Sequence, residues 1–259
     1  MYCSFSETQF VFGILHELLN KHWSTKKGWL PPMFPTQRKE RDLGFDVRIK
    51  GRVRALFFQF KVPEKKIKSN SKYWPTYNAP YYVFKIWPDN LTHQHNNLIK
   101  LAKSNKCNRV YYCSPGFNTD DEFDRHYKKK TIANNSIYVP CADSRVRTIS
   151  GADKHDISYT ITPKRDFHMH SEEFRIVGLD YEGFISDINK SETYDSIVDC
   201  LLSITEVIDM GDTRAEISQK LRESHESDTH EGIKEVYDII SEYFMMHDNT
   251  CFIALGEEE

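Results

Sequence analysis

The stretch FFQFKVP, residues 57–63, decides how the chain reads. Strand side chains alternate faces, so Gln59 and Lys61 point one way while Phe58, Phe60 and Val62 point the other. The stretch ends a longer apolar run, VRALFFQFKV (53–62), which follows GFDVRI (44–49) across a KGR turn. Residues 44–62 therefore predict a hairpin. Asp46 shares a face of the first strand with Arg48, and pairing of the two strands sets Asp46 beside Gln59 and Lys61. A carboxylate next to an amide oxygen is an oxygen-donor pair suited to Mg²⁺. A lysine near metal-bound water suits attack on a phosphodiester. The same residues admit a plainer reading: Lys61 snorkels from an edge strand, Gln59 bonds a neighbour, and Asp46 pairs with Arg48 or Arg54.

Upstream, SETQFVFGILHELLNKH (6–22) predicts a helix, with Ser6 as N-cap and Phe10, Ile14 and Leu18 at helical spacing. At about 100° per residue Glu7 falls inside that apolar arc and Glu17 at its margin. A glutamate there is costly unless it meets a partner or a metal. Glu7 also suits the first turn of a helix on dipole grounds alone. Downstream, YYVFKIW (81–87) predicts a strand and NLTHQHNNLIKLAKSN (90–105) a helix, in which Gln94 or His95 is placed to approach a phosphate or to sit at the surface. NRVYYCSP (108–115) and NSIYVPC (135–141) predict strands, on either side of a short helix at 119–130.

Glu7 in a leading helix, GFD with Asp46, QFK with Gln59 and Lys61, then a helix and a strand, resembles the PD-(D/E)XK nuclease superfamily over roughly residues 5–115. The resemblance implies an α/β fold with a restriction-endonuclease-like αβββαβ core and a mixed sheet. It implies that Asp46 is the metal-binding acid, Lys61 the lysine of the motif and Glu7 the helix acid, with Mg²⁺ or Mn²⁺ held by Asp46, Gln59 and Glu7. Gln59 stands where the motif usually carries an acid, which removes one negative charge from the metal site. A Q-x-K version is similar to that of several restriction and bacterial defence nucleases. The expected activity is metal-dependent hydrolysis of phosphodiester bonds, DNA before RNA, in restriction or antiviral defence. The alternative is a nuclease-fold module without catalysis that binds nucleic acid or scaffolds a partner protein, and a third reading is a purely structural interaction protein.

Charge supports a polyanion partner for one part of the chain. Residues 1–150 hold 26 Lys and Arg against 12 Asp and Glu, a balance of +14. The remainder holds 9 against 26, a balance of -17. Asymmetry of this kind points to different partners for the two parts. Residues 1–150 are read as the nuclease-like domain, and 151–259 as an acidic, mostly helical extension. GADKHDISYTITP and FRIVGLDYEGFISDI offer strand-like runs, and 191–210 and 229–247 predict amphipathic helices separated by a polar stretch. Their apolar stripes suit a homodimer, a partner protein, or packing inside the same domain. The segment PEKKIKSNSKYWPTYNAP (63–80) is read as a loop. Lys65, Lys66, Lys68 and Lys72 alternate there with Trp74 and tyrosines, which suits phosphate contacts and base stacking. A solvated loop with its aromatics packed down is the alternative.

No stretch reaches the ~18 apolar residues of a membrane span, and no signal peptide is read at the N-terminus. Six cysteines without a C-x-x-C pair suggest reduced thiols. A cytoplasmic location without membrane contact is therefore expected. HELLN (16–20) lacks the second histidine of a zinc motif, and HMHSEE (168–173) is read as a polar edge strand before a metal site.

Overall fold

Strand β1 (Val53–Phe60) carries the QFK stretch, and every residue of it except Arg54 is buried. In the computed structural model β1 is an inner strand of a four-stranded sheet, between the strands Asn108–Pro115 (β4) and Thr250–Gly256 (β9), with Ser136–Pro140 (β5) beyond β4. An inner strand covered on both faces reads as a continuous apolar run, not as an alternation. The wet face that alternation suggests is therefore missing: Gln59 is as fully buried as Phe58. The chain is an α/β fold whose mixed sheet contains parallel and antiparallel strands. Residues 1–20, 53–87, 94–150, 155–161, 166–170, 174–176, 178–207, 213–226, 233–241 and 250–256 are described. Asp46, the proposed partner strand 44–49 and the KGR turn lie outside them.

Backbone contacts group the chain into two units. The first comprises Met1–Ser24, Gln59–Ile99 and Tyr111–Lys190, the second Thr25–Phe58, Lys100–Val110 and Ser191–Glu259. The charge boundary near residue 150 is one of composition and falls inside the first unit. β1 and β4 (Asn108–Pro115) pass from one unit into the other.

In the first unit, α1 (Glu7–Leu18) starts where the Ser6 hydroxyl accepts from the Gln9 amide at 3.0 Å. Its buried face is Phe10, Ile14, Leu15 and Leu18. Gly13 lets the helix come close to its neighbours. A Cβ there would lie 2.7 Å from Ile132 and 3.0 Å from the Phe123 ring of α4 (Asp120–Lys129). That helix is closed at its start by a reciprocal Thr119–Glu122 capping box, and at its end by Lys130 in a left-handed conformation, φ 53°. The far half of β4 pairs antiparallel with β5 (Ser136–Pro140), setting Cys113 opposite Tyr138. The helix α5 (Tyr181–Asn189) stacks Phe184 on Tyr138, ring centroids 4.0 Å apart.

The same unit holds a second sheet, ordered β2-β3-β6-β7-β8. Its strands are β2 (Glu64–Lys66), β3 (Tyr81–Ile86), β6 (His155–Thr160), β7 (Asp166–Met169) and β8 (Phe174–Arg175), each antiparallel to the next. The strand predicted at 81–87 thus forms, but it pairs with β2 and β6 and does not extend the sheet of β1. The segment 63–80 is not one loop: it contains β2 and a helical turn, α2 (Trp74–Tyr77).

In the second unit β9 (Thr250–Gly256) borders β1, and Phe252 stacks on Phe57 at 4.8 Å. The Tyr194 hydroxyl donates to the Asn108 side chain at 2.8 Å, while its backbone bridges to Val53. Helices α6 (Ile197–Val207), α7 (Thr213–Glu226) and α8 (233–241) bury Leu201, Ile204, Ile217, Leu221, Val236 and Ile240. The apolar side chains of 197–207 and 233–241 named here are therefore buried within the chain. Two expectations need correction. YEGFISDI is a helix, because Asp180 caps it through the Gly183 amide and Tyr181, Phe184 and Ile188 recur at helical spacing. The polar stretch between the last two predicted helices is α7, whose apolar signal is little more than Ile217 and Leu221. Residues beyond 150 supply β6 to β9 as well as helices.

Overpacking at the α1 contact has a defined cost. Gly13→Val is expected to lower stability by about 1–3 kcal/mol. Ser6→Ala, which removes the cap alone, should cost about 1 kcal/mol. Urea unfolding of both variants checks the order.

Candidate active site

Lys61 follows β1 directly, and its amide still donates to Cys113 across the ladder at 2.9 Å. The strand thus holds the lysine backbone firmly, while the side chain leaves the core half-buried. Its ammonium donates to the Gln94 side-chain oxygen at 3.4 Å. Gln94 opens α3 (Gln94–Ser104). Burial pushes the Lys61 pKa down from its ordinary value, and the Glu7 carboxylate on the first turn of α1 works in the opposite direction. Three elements therefore bring Glu7, Lys61 and Gln94 to one place. Gln59, two residues back, is wholly buried, with its amide nitrogen donating to the Phe60 carbonyl at 3.3 Å. That bond turns the nitrogen toward the backbone.

α3 is anchored by the residue after Gln94. His95 is buried, with Nε2 at 2.8 Å from the Arg147 carbonyl and Nδ1 at 2.8 Å from the Tyr112 hydroxyl. A carbonyl only accepts, so Nε2 carries the proton and the Tyr112 hydroxyl donates to Nδ1. Asn96 adds a reciprocal pair with the Ile149 backbone, 2.8 and 2.9 Å. His95 is thus a positioning residue and is not free to meet a phosphate. Its place was legible in the spacing, since His95, Leu98, Ile99 and Ala102 lie on one buried helical face. Glu17 is also structural: its carboxylate accepts from the Ala133 amide at 3.2 Å.

Of the residues named from the sequence, the structure sets Lys61 within the field of Glu7 and in a hydrogen bond with Gln94, while Gln59 is buried two residues before it. Asp46 lies outside the described residues. The oxygen donors here, one carboxylate and two side-chain amides, have the hard character that Mg²⁺ takes. Among the described residues no cluster of three or more His, Cys, Asp or Glu is arranged to hold a metal.

The basic residues of 64–80 sit on the second sheet. Lys65 lies over the Tyr82 ring at 5.3 Å, and Lys66 pairs with Glu64. Lys72 reaches Asp156 at 3.8 Å and covers the Tyr73 ring at 4.7 Å. Lys68 is exposed and Trp74 half-buried. Beneath them Tyr73 donates to Asp156 at 2.6 Å, Tyr77 meets Ser158 at 2.8 Å, and Ser158 meets His170 at 2.5 Å. The Tyr73 ring stacks on His170, centroids 3.4 Å apart. Burial pushes the His170 pKa down to about 4, so the ring is neutral near pH 7. β7 is an inner strand, not the polar edge expected of HMHSEE. His168 and His170 serve this network, with His168 3.5 Å from Asp166.

No protein-family model, curated protein or solved structure matches the chain. No helix among the described residues is long and apolar enough to cross a membrane. The described cysteines are free thiols.

The depressed Lys61 pKa fixes a sign. The unfolded chain binds more protons between the lowered value and 10.5, so stability rises with pH across that window. Lys61→Met is expected to stabilise the protein at pH 7 by on the order of 1 kcal/mol. The gain should shrink as pH rises through the lowered value and vanish above 10.5, where the lysine is neutral in both states. Paired urea titrations from neutral to alkaline pH measure it.

Proposed function

We propose that the chain is a metal-dependent nuclease that hydrolyses phosphodiester bonds, with DNA the expected substrate. The observation that carries this reading is Lys61. A half-buried lysine with a depressed pKa stands at the end of a buried strand, beside Glu7 and Gln94 from two helices. Buried lysines are costly, and strongly perturbed groups cluster at functional sites. The order helix acid, Q-x-K strand and polar helix start is that of the PD-(D/E)XK resemblance, which also suggests a defence role.

Glu7, Gln59 and Asp46 are the residues that would hold Mg²⁺ or Mn²⁺. When bound, such an ion lowers the pKa of water and offsets charge on the phosphate. Lys61 does the rest of the work assigned to this chain. In its ammonium form it binds a phosphate oxygen. Its lowered pKa enlarges the neutral fraction that accepts a proton from the attacking water. Gln94 fixes the side-chain direction through its oxygen, and Glu7 keeps the amine from losing its charge altogether. The non-catalytic module differs from this reading in one respect, that Gln59 serves only the backbone carbonyl it already bonds.

Cleavage of plasmid and linear DNA with Mg²⁺, Mn²⁺ or EDTA tests the proposal. Cutting should need the metal and fall by about 10²–10⁴-fold in Lys61→Ala. Glu7→Gln and Asp46→Asn should reduce it as well. The rate should rise with pH toward the lowered Lys61 pKa, a rise absent from Lys61→Ala. Binding without cutting in either metal would favour the module.

A further inference from the structure

The outer face of α1 carries aromatic side chains that the core does not use. Phe12 is 59% exposed and Tyr127, on α4, is 36% exposed. The Phe12 ring lies nearly parallel to His16, centroids 6.0 Å apart and 9° between planes, and 6.2 Å from Tyr127. His16 and Tyr127 are 5.7 Å apart, which closes the trio. Tyr127 rests on the buried Phe123 ring at 6.1 Å and 12°. Phe123 in turn packs against Gly13, so the close contact of the two helices holds the exposed rings in place. Rings held in this way have lost their freedom without gaining burial.

Cations follow Tyr127 along the chain. Lys128, Lys129 and Lys130 are exposed at the end of α4, directly after Tyr127, and Arg125 is exposed in the middle of the helix, one turn after Asp121. Among the described residues none of the four forms an ion pair. The helix acids Asp120, Asp121 and Glu122 are in the opposite, first turn, and Asp124 lies one turn before Lys128. Lys130, turned by its left-handed backbone, lines a cavity of about 200 Å³ with His16, Glu17 and Asn20.

We propose that this α1–α4 face binds single-stranded nucleic acid. Its bases stack on Phe12, His16 and Tyr127, and its phosphates meet Lys128, Lys129 and Lys130. A polyanion with open π-faces accounts for the rings and the cations together. In a duplex the bases already stack on one another, so the rings select the single strand. The surface needs neither Lys61 nor a metal, and it goes beyond the nuclease reading.

Fluorescence anisotropy in EDTA, with a labelled single strand of about 16 nucleotides and the matching duplex, tests it. The single strand should bind more tightly. Phe12→Ser should weaken it about ten-fold or more, and Phe12→Trp should keep it. The triple variant Lys128→Gln, Lys129→Gln, Lys130→Asn should lower the salt slope by about 2. Phe12 faces water, so unfolding curves of Phe12→Ser should match those of the natural chain. The proposal is overturned if the natural chain does not bind single strands, if the duplex binds as tightly, or if these variants bind unchanged. Phe12-dependent binding without metal-dependent cutting would refute the nuclease reading alone. Cutting with Phe12-independent binding would refute this surface alone.

Discussion

An ammonium group placed at the end of a buried strand has to be compensated from outside that strand. Lys61 is in that position. β1 is covered on both faces and bordered on both edges, so it supplies its terminal lysine with no polar neighbour except Gln59. The compensation comes from α1 and α3. Glu7 contributes charge only if α1 lies in its observed place, which depends on the close contact at Gly13. Gln94 contributes its oxygen only because His95 and Asn96 tie the start of α3 to the backbone at 147 and 149. The placement of the first helix, the third helix and the 147–149 segment thus converges on one side chain.

The parts of this arrangement that follow from local pattern were legible in the sequence. Ser6 as a cap, the helical spacing of α1, and the strands of 53–60, 81–86 and 108–115 rest on nearest-neighbour physics. The burial of Gln59 does not, because it depends on what covers β1, and a strand's own alternation does not carry that. The inner position of β7 was hidden for a related reason: its outer neighbour, Phe174–Arg175, is too short to register as a strand. α5 was misread although Tyr181, Phe184 and Ile188 already stand at helical spacing behind the Asp180 cap, because the strand-like FRIVGL runs straight into it. In the site, Lys61 and Glu7 were legible from chemistry in the wrong surroundings, whereas Gln94 shows its role only when α3 is set against β1.

The second sheet answers a different question, what the basic residues of 64–80 do in the folded chain. Two of the tyrosines among them hold the covering segment through Asp156 and Ser158, and a neutral His170 completes the network. Lys66 and Lys72 have acidic partners there. The basic character of this segment is therefore partly balanced inside the protein, unlike that of the last turn of α4.

The neighbour of β1 at the sheet edge comes from a distant part of the chain. During synthesis the strand that carries the lysine emerges well before residues 250–256, and one flank of it has nothing to pair with until they follow. A contact between such distant parts is slow to form, and an open apolar edge is an invitation to other chains. The nascent protein must therefore carry an unfinished sheet until that distant strand has been made. Any activity that depends on the geometry of β1 starts only when the sheet closes.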